Sequence, residues 1–87
     1  MSFEDVMTHY GFVPECTIPN CPSLTEWIHP THRDSRKRNC SVMILAGRAV
    51  VHCNLGRPIY AVSPQDVEFL LRREFECFAC MPQVIAA

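Results

Sequence analysis

The chain has 87 residues, of which 48% are hydrophobic, and its net charge is −1. A chain of this length forms one small domain with a thin core, and such domains often need a metal, disulfides or a partner in addition. The near-neutral charge argues against a globally basic nucleic-acid-binding protein, and the composition argues against a disordered tail. We therefore expect a single domain over residues 1–87.

The sequence predicts an intracellular protein of the cytoplasm or the nucleus. It has no run of 18 apolar residues, so no membrane partner is expected. Residues 1–5 include acids where a secretory signal needs cations. In a reducing compartment, six cysteines indicate metal binding or catalysis rather than disulfides. The even cysteine count leaves a disulfide framework as the alternative.

The first predicted element is a short helix over residues 2–11. Ser2 is a typical N-cap residue, and Asp5 follows it at the position that completes a capping box. Apolar residues then recur at i, i+3, i+4 and i+7, which is the helical spacing. His9 lies on this helix and is predicted to be a solvated or capping residue rather than a metal ligand.

Residues 13–40 are predicted to lack regular structure, because four prolines interrupt them. A loop of this length is uncommon in a compact domain unless something organises it. Zinc is a candidate, since the loop is rich in the thiol and imidazole side chains that bind it. The sequence therefore predicts a zinc-organised loop over residues 16–40, with the candidate ligands Cys16, Cys21, His29, His32 and Cys40.

The next segment, residues 41–62, is predicted to form a three-stranded antiparallel meander. Its β-rich runs cover residues 41–46, 48–53 and 59–62, with turn signals between them. The first two runs are nearly continuous in apolar residues, and such strands need cover on both faces. In so small a protein, we expect a partner to cover one of the two faces of the sheet.

The last predicted element is an amphipathic helix over residues 63–78. Ser63 is its N-cap, and Asp66 is predicted to complete a capping box. Glu68 and Arg72 are predicted to pair at i, i+4 on the exposed face. The opposite face should pack on the meander, and it consists of Val67, Leu70, Leu71, Phe75 and Phe78.

The cysteine and histidine spacing indicates one or two Zn²⁺ ions. A C-x4-C pair is followed after seven residues by an H-x2-H pair, which differs from the spacing of the classical zinc finger. Two ligand pairs at such short range can still share one tetrahedral ion. The preferred ligands of the first site are Cys16, Cys21, one of His29 and His32, and Cys40.

The second predicted zinc site uses the C-x2-C pair Cys77 and Cys80. Cys53, and with it His52, would complete this site from the middle strand. One alternative is a single ion that joins the C-x4-C pair to the C-x2-C pair. The other alternative is that these thiols are simply buried, since free cysteine behaves as a small hydrophobic residue.

The sequence predicts no catalytic arrangement, so the chain is predicted not to be an enzyme. His52 and Cys53 are neighbours on a strand, so their side chains point to opposite faces and cannot form a dyad. Cys77 and Cys80 lie at the predicted helix C-terminus beside two glutamates, which favours a raised thiol pKa rather than redox activity. The chain also lacks a glycine-rich phosphate loop.

A basic run lies near the only tryptophan of the chain. It has three interpretations: a solvated loop, a phosphate or nucleic-acid contact, and a patch of the kind read in nuclear import. The second depends on cations that hold the backbone and an aromatic ring that stacks on a base. The candidate contact residues are Trp27, Arg33, Arg36, Lys37 and Arg38.

Together these features predict a small, zinc-stabilised α+β domain. It would consist of a short N-terminal helix, a Cys/His loop, a three-stranded antiparallel sheet and a C-terminal helix. The predicted function is a non-catalytic zinc-binding interaction module, an accessory or regulatory subunit that docks on a partner protein. The alternative is a small RNA- or DNA-binding zinc protein that uses residues 33–38.

Overall fold

The computed structural model describes residues 1–18, 21–34, 36–52 and 58–85, with the backbone alone for residues 16–18, 21–23 and 52. Over these residues the chain is α+β and contains three helices and five strands. They are, in chain order, α1 (Phe3–His9), β1 (Val13–Ile18), β2 (Cys21–Arg33), β3 (Asn39–Leu45), β4 (Arg48–His52), β5 (Pro58–Ala61), α2 (Pro64–Glu74) and α3 (Glu76–Ala79).

The five strands form one antiparallel sheet in the order β1-β2-β3-β4-β5. Each described strand therefore pairs with its neighbours in sequence. The β3–β4 ladder ends at Leu45 opposite Arg48. The two residues between them, Ala46 and Gly47, have φ angles of 43° and 83°, as a type I′ hairpin turn requires. This turn fixes the register, and the register decides which side chains share a face.

The predicted three-stranded sheet with a zinc-organised loop before it is wrong. Most of residues 16–40 belong to β1, β2 and the start of β3, within the same sheet. Pro14 is tolerated because β1 is an edge strand. Pro30 is tolerated because it lies between Ile28 and Arg33, where the β2–β3 register shifts. Strand pairing organises this segment, and no three His, Cys, Asp or Glu residues of the described part are grouped to hold a metal ion.

The helix caps follow the sequence closely but not completely. The Ser2 hydroxyl accepts the Asp5 amide at 3.1 Å, and the Asp5 carboxylate accepts the Ser2 amide at 3.0 Å, so the first capping box is formed. At α2 the Ser63 hydroxyl accepts the Asp66 amide at 3.2 Å. Only this half of the second predicted box is present in the described structure.

The predicted helix over residues 63–78 is interrupted at Phe75. This residue is extended, with φ −130° and ψ 113°, and it separates α2 from α3. Phe75 and Phe78 are both buried, and their rings meet edge to face at 5.7 Å. The break therefore lets Phe75, between the two helices, and Phe78, in α3, reach the same core.

The core lies between the helices and one face of the sheet. Helices α1, α2 and α3 all contribute to it, together with alternate residues of the strands. No described helix is both long enough and apolar enough to span a membrane. The buried apolar residues are Val6, Met7, Tyr10, Phe12, Trp27, Cys40, Val42, Ile44, Ala49, Val51, Ala61, Val67, Leu70, Leu71, Phe75 and Phe78.

Candidate functional site

The sheet face that points away from the helices is the principal candidate site. On β3, Val42 and Ile44 are buried beneath the helices, whereas Met43 between them points to the opposite side. Paired residues share a face, so the register extends this assignment to the other strands. We call the resulting set the outer face, which consists of Val13, Leu24, Glu26, Ile28, Ser41, Met43, Leu45, Arg48, Val50 and Tyr60.

An apolar row crosses the middle of the outer face. Met43, Val50 and Tyr60 are successive partners on β3, β4 and β5. Tyr60 exposes 71% of its surface, and Leu45 on the adjacent row exposes 39%. Glu26, opposite Met43 on β2, is the one acidic member of the outer face. Grouped apolar side chains at a protein surface are typical of interaction sites.

The basic run of the sequence covers the last residue of β2 and the connection to β3, and we call its described residues, 33, 34 and 36–38, the basic turn. Asp34 organises it, because its Oδ1 accepts the backbone amides of Arg36 and Arg38, both at 2.9 Å. Two backbone bonds close the turn: the Asp34 amide donates to the Arg38 carbonyl at 2.8 Å, and the Lys37 amide donates to the Asp34 carbonyl at 2.9 Å. The turn is therefore built by an acid within the run of cations.

The four cations of the basic turn differ in their surroundings. The Arg33 guanidinium donates to the Lys37 carbonyl at 3.2 Å. Arg38 pairs with the Asp34 carboxylate at 3.6 Å. The side chains of Arg36 and Lys37 are exposed. All four cations are thus exposed to solvent, and Arg33 and Arg38 in addition contact acceptors within the turn.

Trp27 lies on the inner side of the sheet. It is the β2 partner of Val42, and it exposes only 7% of its surface. A ring in this position packs in the core and has no free face for a nucleic-acid base. Trp27 therefore does not supply the exposed aromatic ring that the predicted nucleic-acid contact needs.

His29 is buried and uses both of its ring nitrogens. Nδ1 accepts the amides of His32 at 2.9 Å and Thr31 at 3.2 Å. Nε2 lies 3.0 Å from the Tyr10 carbonyl, and because Nδ1 accepts, Nε2 carries the proton and donates. Burial, followed by the nearby His32 ring, lowers the pKa of His29. The neutral ring therefore links β2 to the end of α1, and neither nitrogen is left for a metal.

Gly11 makes room for the His29 ring. Its φ is +86°, and a Cβ at this position would lie 2.9 Å from the His29 Nε2. Glycine is therefore required here both by backbone conformation and by the approach of the ring. The ring of the second predicted histidine ligand, His32, lies against the His29 ring at a centroid distance of 4.3 Å, with the two planes tilted by 38°.

Three of the predicted thiol ligands have described side chains, and all three are free. Cys40 is 2% exposed, and burial, followed by the charges of Cys77 and Asp34, raises its pKa to about 12. Burial also raises the pKa of Cys77 in α3, while Cys80 is exposed. A raised pKa leaves little thiolate at neutral pH, so Cys40 and Cys77 are poor nucleophiles.

The remaining predicted ligands fall where side chains are not described. Cys16 and Cys21 lie on β1 and β2, and His52 ends β4, but only their backbone is described. Cys53 lies outside the described residues. Zinc sites that use these four residues stay predictions.

A buried carboxylate holds the C-terminal segment against the helices. Glu68 is 3% exposed, and it accepts the Tyr10 hydroxyl at 2.6 Å and the amides of Val84 and Ile85 at 2.8 and 3.0 Å. Burial by itself raises the pKa of Glu68, but these hydrogen bonds and the Arg72 charge outweigh it and leave the pKa below its ordinary value. The prediction of a solvent-exposed Glu68–Arg72 pair is therefore wrong.

Arg72 completes the attachment of this segment. Its guanidinium donates to three carbonyls within residues 78–81. His9, predicted to be solvated or capping, has its Nε2 2.9 Å from the Pro82 carbonyl. We call the network of Tyr10, Glu68 and Arg72 the tail latch, since it fixes the C-terminal segment onto α1 and α2.

Comparison with protein-family models, with curated proteins and with solved structures yields no significant match for this chain. The residues and their arrangement therefore carry the functional inference.

Proposed function

We propose that this chain is a non-catalytic interaction module that docks on a partner protein through the outer face. The observation that carries the proposal is the apolar row of Met43, Val50 and Tyr60, which lies on the side of the sheet opposite the described helices. Strands with apolar residues on both sides need cover on both sides. The helices cover the inner face, and a partner would cover the outer one.

The chemistry of the described residues favours binding over catalysis. His29, the one histidine buried among the described side chains, has both ring nitrogens in hydrogen bonds. The buried thiol of Cys40 has a pKa of about 12, and the buried carboxylate of Glu68 is already bound by a hydroxyl and two amides. A general base or nucleophile needs a free, reactive group, and these groups serve structural roles instead.

The nucleic-acid alternative has less support than protein docking. Its aromatic residue, Trp27, is in the core, and two of its four cations, Arg33 and Arg38, are bound within the basic turn. Single-strand binders need both stacking surfaces and a continuous cationic groove. An apolar row suits protein side chains better than a phosphate backbone.

Site-specific photo-crosslinking tests the docking proposal. Tyr60 on the outer face, and separately Phe69 on α2, would be replaced by p-benzoylphenylalanine in the cells that make the protein. The two positions are matched, because both are aromatic and expose 71% and 60% of their surface on opposite sides of the molecule. We expect a protein adduct from position 60 and none from position 69.

A second variant shows whether the adduct depends on the apolar row. Met43→Thr and Val50→Thr together remove the apolar surface beside Tyr60, and threonine suits a strand. Circular dichroism should show an unchanged fold, and the adduct from position 60 should disappear. An adduct from position 69 alone, or one that survives the double substitution, would contradict docking through the outer face.

A further inference from the structure

We infer that the segment bound by the outer face has apolar side chains flanked at both ends by acidic residues. This inference rests on the proposed docking function. Free cations mark the two ends of the outer face. Arg36 and Lys37 of the basic turn lie at the end where β3 begins, and Arg48 lies opposite Leu45 at the end where β3 finishes.

The basic turn is continuous with the outer face. A shallow cavity of about 270 Å³ lies between them. It is lined by Asp34 and Arg38 of the basic turn and by outer-face residues that include Glu26 and Met43. A chain lying along the outer face would therefore pass from Met43 of the apolar row to Arg38 of the basic turn.

Charge is segregated between the two layers of the molecule. The three helices contain six acidic residues and two arginines, a net charge of −4, whereas residues 13–61, the part of the chain that contains the sheet, have six cations and three acids, a net charge of +3. An approaching acidic segment is attracted to the sheet side and repelled by the helix side. The same distribution disfavours a second copy bound face to face, because its cationic ends would meet like charges.

The length of β3, which runs between the cationic ends, sets the minimum length of the ligand. Six residue steps along β3, from Asn39 to Leu45, span about 20 Å. A ligand of that length has about six residues as a strand or about thirteen as a helix. The acidic residues of the ligand should therefore lie at its two ends, with apolar residues between them.

A random peptide library tests this inference, because it reports the chemistry of the ligand without requiring the partner itself. Displayed peptides of about 16 residues, long enough for either conformation, would be selected on the wild-type chain. Peptides that also bind the triple variant Met43→Thr, Val50→Thr and Tyr60→Thr would be discarded. We expect the remaining peptides to carry apolar residues between terminal Asp or Glu residues.

Charge reversal then tests the role of the cationic ends. Arg36→Glu with Lys37→Glu, and separately Arg48→Glu, should weaken binding of the selected peptides by about tenfold or more. Peptides with Lys in place of the acids should regain affinity for these variants. Arg73→Glu on α2 is the control on the helix side. Arg73 is exposed and pairs with Glu74 at 2.9 Å, and its reversal should leave the affinity unchanged.

The outcomes separate this inference from the docking proposal. Peptides that need the apolar row but show no acidic bias would overturn the inference and leave docking intact. If no selected peptide distinguishes wild type from the triple variant, docking itself is contradicted.

A parallel selection uses a random RNA pool. RNA that binds the triple variant normally and is lost on reversal of Arg36 and Lys37 would overturn the inference in favour of nucleic acid.

Discussion

The two faces of the sheet carry similar side chains in opposite surroundings. On the inner face, Val42 and Val51 are fully buried beneath the helices. On the outer face, Met43 and Val50 are the sequence neighbours of these two valines, and their neighbour across the sheet, Tyr60, is 71% exposed. The difference shows that an apolar strand can bury one side in the core while side chains on its other side stay exposed, and the proposed function assigns that other side to a partner.

The largest effect should come from truncating the inner side. Leu71→Ala removes a fully buried side chain from the core and should lower the free energy of unfolding by about 2–5 kcal/mol. Leu45→Ala on the outer face, where the leucine is 39% exposed, should cost less than about 1 kcal/mol. Urea denaturation of both variants measures the difference, and equal losses would contradict the assignment of the two faces.

The tail latch should give the next largest effect. Glu68→Gln replaces a buried acceptor of three hydrogen bonds and should cost about 1–3 kcal/mol. Hydrogen exchange at the Val84 and Ile85 amides should become faster in this variant. Glu26→Gln on the outer face is the matched control, and it should leave both the stability and these amides unchanged.

The same carboxylate predicts a loss of stability in acid. The pKa of Glu68 is below its ordinary value of 4.5, so its contribution is present above pH 4.5 and is lost as the pH falls through the folded-state pKa. Glu68→Gln should flatten the pH dependence of the unfolding midpoint in this range. An unchanged slope in the variant would show that Glu68 is not ionised in the folded protein.

His29 should add a smaller pH dependence at milder acidity. Its pKa is below the ordinary value of 6.5, so the unfolded chain takes up a proton first as the pH falls. The stabilisation is therefore present above about pH 6.5 and is lost below it. His29→Gln should abolish this slope in thermal melts between pH 7 and 5, whereas the surface variant His9→Gln should retain it.

Metal removal should have the smallest effect on the fold. Strand pairing organises residues 13–18 and 21–33, and His29 has no nitrogen free. We therefore expect a chelator to leave the circular dichroism spectrum and the melting midpoint unchanged, with native mass spectrometry to count any bound zinc. Loss of β-structure on chelation would show that Cys16 and Cys21 hold a metal that the fold needs.

Local signals predict the helix starts and the last three strands. Ser2 and Ser63 cap helices because their hydroxyls reach an amide three residues on. The strands over residues 41–62 are indicated by β-branched runs and by a turn at Gly47, which has a positive φ. Such signals depend only on near neighbours, so a sequence reveals them directly.

The first two strands could not be predicted, because prolines dominate the local signal there. Pro14 is compatible with a strand only at a sheet edge, and Pro30 only where the register shifts. Both conditions depend on the arrangement of the whole sheet. The interpretation of the cysteines and histidines as organisers of a loop follows from this one error.

The tail latch is also hidden from the sequence. Glu68 and Arg72 have the spacing of an exposed ion pair, but Glu68 lies three residues before the buried Leu71, at the edge of the apolar face. Its partners Tyr10, Val84 and Ile85 are 58, 16 and 17 residues away. Only the packing of the C-terminal segment brings them together.

The outer face, by contrast, is indicated by the sequence, because its strands are apolar on both sides and such strands need both faces of the sheet to be covered.

Hydroxyl-radical footprinting compares the two faces in a single measurement. In the isolated chain, the side chains of Met43 and Tyr60 should be oxidised, whereas those of Met7 and Tyr10, which are 0% and 1% exposed, should be protected. In the partner complex isolated from cells, Met43 and Tyr60 should become protected and Phe69 on α2 should stay reactive. Equal oxidation of Met43 and Tyr60 in both states would contradict docking through the outer face.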